Sequence, residues 1–267
     1  MTKKQFHKII YDYYREHRRD FPWRNTTNPY RIFISEVMLQ QTQAPRVVSK
    51  YVEFIKRFPT FKRLATASTR DVLSAWQGLG YNRRALALQK AAQIVVNEYK
   101  GKLPTDPIEL DKLPGIGQHT AGSIAAFAFN YPSIFIETNI RSVFIHHFFK
   151  DQEGISDAQL LPLITKMVDQ NNPREWYWAL MDYGVMLKKT LGNPSRQSKH
   201  YSKQSKFIGS RRQVRGVVIK LVLGQSKGLV EKEIYQQLEF EAEVIESVLD
   251  ELIAEGFLKE IKGRIVA

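Results

Sequence analysis

The sequence predicts a mainly α-helical protein that ends in a small α+β unit. Three observations carry this. Apolar residues recur at helical spacing through the first two-thirds of the 267 residues. Alternating, strand-like patterns are scarce before residue 256. Composition then breaks after Asp182, beyond which no acidic residue occurs until Glu231. A hydrophobic share of 43 %, with 15 Phe and 12 Tyr, is enough to build real cores and excludes global disorder.

In chain order, Phe6, Ile9, Ile10, Tyr13 and Tyr14 form one apolar stripe, and Ile32, Ile34, Val37 and Met38 begin another. Further helices are expected at 44–57, 70–77, 83–99, 120–129, 139–149, 157–169 and 174–187. Pro59, Gly78, Gly80, Gly101, Pro104, Pro107, Pro114, Gly115 and Pro132 supply stops between them. Residues 192–210 lack apolar periodicity and read as a surface segment or linker. Beyond it, Val214, Val217, Val218, Leu221 and Val222 stripe one helix. Residues 231–238 make a second and 241–255 a third, with Val244, Ile245, Val248, Leu249, Leu252 and Ile253 facing inward. Residues 257–261 and 264–266, around Lys262-Gly263, read as a β-hairpin. Three helices followed by a hairpin resemble a winged-helix module.

Charge narrows the partner. With 40 Lys+Arg against 27 Asp+Glu, the chain carries +13, which suits a polyanion. Lys188, Lys189, Arg196, Lys199, Lys203, Lys206, Arg211, Arg212, Arg215, Lys220 and Lys227 crowd the acid-free stretch, so a phosphate-tracking surface is expected there. The third helix of the C-terminal unit carries Glu241, Glu243, Glu246, Asp250, Glu251 and Glu255 and no basic residue, which makes it a poor reader of a DNA groove. If that unit touches DNA, Arg211, Arg212 and Arg215, or Lys259, Lys262 and Arg264, are the better contacts. Packing on the main domain and binding a protein partner both stay open. Cysteine is absent, which excludes disulfides, thiolate metal sites, cysteine-ligated iron–sulfur clusters and a cysteine nucleophile. No apolar run approaches the length of a membrane span, and MTKKQFHKII has no signal-peptide core. An intracellular protein of the cytoplasm or nucleoid, with no membrane partner, is expected.

Two segments carry chemistry. Leu113-Pro-Gly-Ile-Gly117 puts two glycines around one apolar residue, which permits a tight turn, and Gln118 or Thr120 can then open a helix whose amides hold a phosphate. The second is Glu36, taken as lying near a helix start. There the dipole alone would explain a glutamate. Val37, Met38 and Leu39 follow it, however, and an apolar wall raises a carboxyl's pKa as a general acid requires.

SEVMLQQTQ at 35–43, FPT at 58–60, WQGLGY at 76–81, LPGIGQHTAG at 113–122 and WALMDYG at 178–184 occur in the order seen in MutY-type adenine DNA glycosylases of the helix-hairpin-helix superfamily. The resemblance covers about residues 20–187. It implies two helical subdomains with DNA and a flipped base in the cleft between them: a glycosylase domain at 1–205, with a middle subdomain at about 24–130 and a second made of 1–23 plus 131–205. The winged-helix-like domain follows at 206–267. By the same resemblance Glu36 is the glutamate that protonates the leaving adenine and then helps water attack the sugar. Gln41 and Tyr81 wedge into the base stack, Thr42 and Leu79 lie near the opposite base, and Trp23 and Arg24 sit beside the purine pocket. The hairpin residues Leu113, Gly115 and Gly117, with Thr120, grip the DNA backbone, often with a monovalent cation. No other metal or cofactor is implied once the cysteines are gone. Trp23, Leu79 and Tyr81 can equally be core residues.

Four departures qualify the resemblance. Glu137, in Phe135-Ile-Glu-Thr-Asn139, stands where the family has the aspartate that stabilises the sugar cation. It reaches one methylene further, and a helix-start carboxylate is its bland reading. His119 stands where strand-cleaving relatives carry lysine, so no Schiff base can form and a phosphate or sugar contact is expected instead. The cluster loop after Gly184 has no cysteine, although its basic residues, and Lys199, Lys203, Arg211 and Arg212 beyond it, can still face DNA. The domain that recognises oxidised guanine has no counterpart. The expected function is therefore a monomeric, monofunctional base-excision glycosylase acting on double-stranded DNA, with adenine opposite guanine or oxidised guanine as its first substrate. A thymine or uracil mismatch glycosylase and a non-catalytic sensor of DNA damage are the alternatives.

Overall fold

Fourteen α-helices and one two-stranded hairpin make up residues 1–267, all of which the computed structural model describes. They are α1 (Lys3–His17), α2 (Pro29–Leu39), α3 (Ala44–Arg57), α4 (Phe61–Ala65), α5 (Thr69–Trp76), α6 (Arg83–Asn97), α7 (Pro107–Asp111) and α8 (Gln118–Phe129). After these come α9 (Thr138–Phe148), α10 (Asp157–Met167), α11 (Pro173–Thr190), α12 (Arg211–Leu223), α13 (Glu231–Gln237), α14 (Ala242–Ala254), β1 (Lys259–Ile261) and β2 (Arg264–Val266). Periodicity placed the long helices within a few residues of these bounds. It missed α4 and α7, five residues each, because so short a segment shows no period. Their caps are what define them: Thr60 accepts from the Arg63 amide and Asp106 from that of Ile108. No helix is long and apolar enough to cross a membrane.

The chain divides into two compact units, 1–37 with 103–203 and 38–102 with 204–267. In the first, α11 packs against α9, α1 and α8. Trp176, Tyr177, Phe144 and Phe6 are fully buried, and Phe6 meets Phe144 and Trp176 edge-on at 5.3 and 5.6 Å. Edge-to-face pairs of this kind add to simple area burial. Gly184 explains its own place in WALMDYG. A Cβ there would lie 2.6 Å from the Asn139 carbonyl oxygen and 2.7 Å from the Asn139 Cβ, so only glycine lets α11 lie against the first turn of α9. Gly184→Ala is expected to cost ~1–3 kcal/mol of stability in urea unfolding, and unchanged stability would show that the contact can relax.

In the second unit, α4 and α5 pack on α6, and α3 on α5. The C-terminal three helices close around Val218, Val222, Ile245, Val248, Leu252, Phe257 and Leu258, all buried. β1 pairs antiparallel with β2, and Leu229 bridges to Ile265 as a rudimentary third strand, giving the winged-helix arrangement. Strand pairing starts at Lys259, because Phe257 and Leu258 turn into the core instead.

The expected boundaries are corrected here. Residues 24–37 join the first unit because the Arg24 side chain is tied to Asp182 of α11. The 103–130 segment joins it because α8 packs on α11. Residues 206–267 do not form a domain apart: Arg70 donates to the carbonyls of Leu223 and Gln225, and Arg83 pairs with Glu255.

Candidate active site

Glu36 lies in the last turn of α2, not at a helix start. The helix dipole there opposes a negative charge, so the dipole explanation is withdrawn. Ser35, Val37 and Met38 around it are buried, while Glu36 keeps some exposed surface. Burial pushes its carboxyl up to about 7, with Ser123 and Arg24 acting the other way and the charge of Glu137 adding to the rise. The Ser123 hydroxyl, 5 % exposed on α8, is 3.0 Å from the Thr120 carbonyl, to which it donates. It also hydrogen-bonds Glu36. A hydroxyl has one proton and two lone pairs, so Ser123 accepts from the protonated acid while donating to Thr120, and turns its proton to the carboxylate once Glu36 ionises.

Glu137 caps α9. Its Oε1 accepts from the amides of Asn139 at 2.7 Å and Ile140 at 2.9 Å, and its Oε2 from the Asn139 side chain at 3.1 Å. Lys188 of α11 donates to the Asn139 Oδ1 at 2.8 Å. Burial raises the Glu137 pKa, against the pull of Lys188 and of these donors. The helix-start reading of Glu137 is therefore realised, yet the same carboxylate is close enough to Glu36 to raise its pKa. The two environments are unequal. Two helix amides, an asparagine and a lysine hold charge on Glu137, whereas one hydroxyl serves Glu36. The donor sets thus favour the proton on Glu36 and the charge on Glu137, an inequality that suits one carboxyl to acid work and the other to electrostatic support.

The other expected site residues of this unit are placed as follows. Trp23 is buried and stacks on Phe21 at 4.9 Å. Arg24 is buried in a bidentate pair with Asp182 (2.7 and 2.9 Å), which also takes the backbone and side chain of Arg19. Its guanidinium is engaged, so what it lends the site is charge near Glu36. His119, in the first turn of α8, accepts a long 3.4 Å bond from the Ile136 amide at Nδ1, which leaves Nε2 as the protonated nitrogen. Leu113 is buried, whereas Gly115 and Gly117 are exposed, with Gly115 at φ +77°. Gly117 is the N-cap of α8, so the following amides point out of the helix, and Thr120 lies within that first turn. Lys199 and Lys203 are exposed.

The second unit gathers the remainder. Gln41 is exposed in the left-handed region at φ +53°. Thr42 Oγ1 accepts from Arg84 at 3.1 Å. Leu79 is 2 % exposed, so its side chain packs in the core, the alternative the sequence left open for it. Tyr81 is half-buried beneath Arg212. Arg211 is exposed and pairs with Glu251.

Residues 34–166, which contain both carboxyls and the hairpin, match the HhH-GPD superfamily base excision DNA repair protein. Those residues carry that superfamily's domain. Among curated superfamily relatives, the chain is 36 % identical over 192 residues to an adenine DNA glycosylase of Buchnera aphidicola, covering 70 % of this chain and 54 % of that one. It is 34 % identical over 203 residues to the human adenine DNA glycosylase, covering 72 % and 36 %. The chain thus spans about half the length, or less, of the curated relatives it matches. Among solved structures, a thermostable thymine-DNA glycosylase superimposes with TM-score 0.61 at 26 % identity, covering 69 % of this chain and 86 % of that one. An endonuclease III solved as a non-covalent complex with DNA gives 0.57 at 19 % identity, covering 71 % and 87 %, and shares the fold.

The family's iron–sulfur cluster does not fit this chain, which has no cysteine to hold it. Polar contacts fix the corresponding loop instead. Asn193 Oδ1 accepts from the Ser195 amide at 3.2 Å and its hydroxyl at 2.7 Å, and residue 198 bridges to Ile155. Sequence reasoning missed Ser123, Asn139, Lys188 and Asp182 as parts of the site. Asn139 sits in the Glu-Thr-Asn string and was within reach as a second donor. The others act across long chain separations that leave no local trace.

Proposed function

We propose that this chain is a monofunctional DNA N-glycosylase that extrudes a mispaired adenine, opposite guanine or oxidised guanine, and hydrolyses its N-glycosidic bond. What carries the reading is the pair of half-buried carboxyls in unequal surroundings, Glu36 raised to about 7 and Glu137 held as a helix-capping anion. Protonated Glu36 gives its proton to a ring nitrogen of adenine. The bond from C1′ to the base breaks, its electron pair leaves with the base, and the sugar cation is stabilised by Glu137. Water then adds to C1′ and returns a proton to Glu36. His119 supplies no amine for Schiff-base chemistry, so the product keeps an intact strand with an abasic site. The exposed hairpin, Lys199 and Lys203 suit phosphate contacts on duplex DNA by a monomer, and hairpin carbonyls would hold the monovalent cation.

The kinship with a thymine-DNA glycosylase supports a second reading, thymine or uracil opposite guanine. One experiment separates these. Single-turnover base release is measured on duplexes containing A·G, A·oxidised-G, T·G, U·G and hypoxanthine pairs, with and without hot alkali. Alkali-dependent cleavage of the adenine strand is expected. Cleavage at T or U moves the second reading to first place, and tight binding without cleavage of any duplex marks a sensor.

A further inference from the structure

The C-terminal module grips one residue, Tyr81, that the family resemblance places in the base stack. Tyr81 stands at φ +48°, after Gly78 at +91° and Gly80 at +72°. A bulky side chain in the left-handed region has to be held there. From one side Arg84 donates to the carbonyls of Leu79 and Gly80 at 3.3 and 3.0 Å, and Trp76 Nε1 donates to that of Gly80 at 3.1 Å. From the other side comes α12. The guanidinium carbons of Arg84 and Arg212 lie 5.7 and 5.3 Å from the Tyr81 ring centre. The phenol oxygen accepts from Arg212 Nη1 at 2.6 Å and from Gln204. Arg212 is itself fixed, donating through Nη2 to the Ser205 carbonyl at 2.8 Å. Of the α12 arginines, Arg211 and Arg215 are engaged by Glu251 and Glu255, and Arg212 alone addresses Tyr81.

We propose that Arg212, aided by Gln204, is a positioning residue for Tyr81, and that through it the C-terminal module governs which opposite base is accepted. The inference rests on the reading of Tyr81 as the wedge. A wedge must withstand the few kcal/mol that unstacking costs. A rigid ring also turns a poorly matched opposite base into lost contact, whereas a loose ring adapts to it. The module therefore has a task without inserting its acidic third helix into a groove.

The test uses the full chain with Arg212→Ala, Arg212→Lys, Tyr81→Phe and the Arg212→Ala/Tyr81→Phe double variant. Single-turnover release is read for adenine opposite oxidised guanine and opposite thymine. Each of Arg212→Ala and Tyr81→Phe should lower the ratio of the two rates about tenfold, the size of a lost charge-assisted hydrogen bond. The double variant should lose no more than the larger single, and Arg212→Lys should recover part of the ratio. Multiplying effects would overturn the proposal. So would equal slowing on both duplexes with a salt slope reduced by about one, which marks a plain phosphate contact. If Arg212→Ala melts below the assay temperature, Arg212→Gln replaces it in the cycle. If wild type releases no base, the glycosylase reading fails separately. The same cycle is then read on the affinity ratio for mispaired over matched duplex, where an unchanged ratio in the Arg212 variants sinks the inference.

Discussion

Glu36→Gln is expected to slow base release by ~10²–10⁴-fold while making the protein more stable above neutral pH. The amide has the shape of the acid and no proton to give. Duplex affinity should persist, since Glu36 is not among the exposed basic contacts, and a parallel loss of binding would show that the residue is structural. The stability change follows from linkage. The folded carboxyl titrates at about 7 against 4.5 as the reference value. Protonation thus favours the folded state, and that advantage is fully present below pH ~4.5. It is lost as pH rises to ~7, above which the folded protein carries a buried charge. The shift corresponds to roughly 2–3 kcal/mol after allowance for partial exposure. Glutamine removes the titration. Urea unfolding should show the variant gaining about that much on wild type between pH 4.5 and 7, with a flat difference above. An equal difference at pH 4.5 and pH 8 would refute a raised Glu36 pKa. In wild type, the same pKa makes release fall as pH rises through ~7.

How much of this was legible in the sequence depends on distance along the chain. Local signals survived: the Thr138–Phe148 helix was expected one residue from where it starts, and Pro114-Gly115 correctly marked the hairpin. Glu36 was found from its neighbours, but its place on the helix was misjudged, because the Ile32 to Met38 stripe does not reveal that α2 begins at Pro29. Partners were the harder matter. Ser123 and Glu137 approach Glu36 from segments about a hundred residues away, and Asp182 reaches Arg24 across 158 positions. Periodicity has no access to such pairs. The C-terminal module was recognisable from its helices and hairpin, whereas its attachment through Arg70, Arg83 and Arg212 depends on arginines that, in sequence, look like any others in a chain of charge +13.

Glu137→Gln is expected to slow release by ~10²–10³-fold, the scale of losing one preorganised electrostatic contact in the transition state, with little change in stability. The glutamine oxygen can still accept from the Asn139 and Ile140 amides, so the helix cap is kept and only the charge is lost. Glu137→Ala removes the cap as well and should cost ~1 kcal/mol more in unfolding. Aspartate is among the strongest caps and keeps the charge, so Glu137→Asp should remain far more active than the glutamine variant. The pH profile separates catalysis from capping. The Glu137 charge raises the pKa of Glu36, so Glu137→Gln must move the alkaline limb of the release profile to lower pH, and Glu137→Asp must leave it near its wild-type position. A carboxylate that served only α9 would leave the limb unmoved in both variants. The direction of that shift, read beside unchanged unfolding, therefore decides whether a longer side chain in the aspartate's place still sets the charge at the reacting sugar.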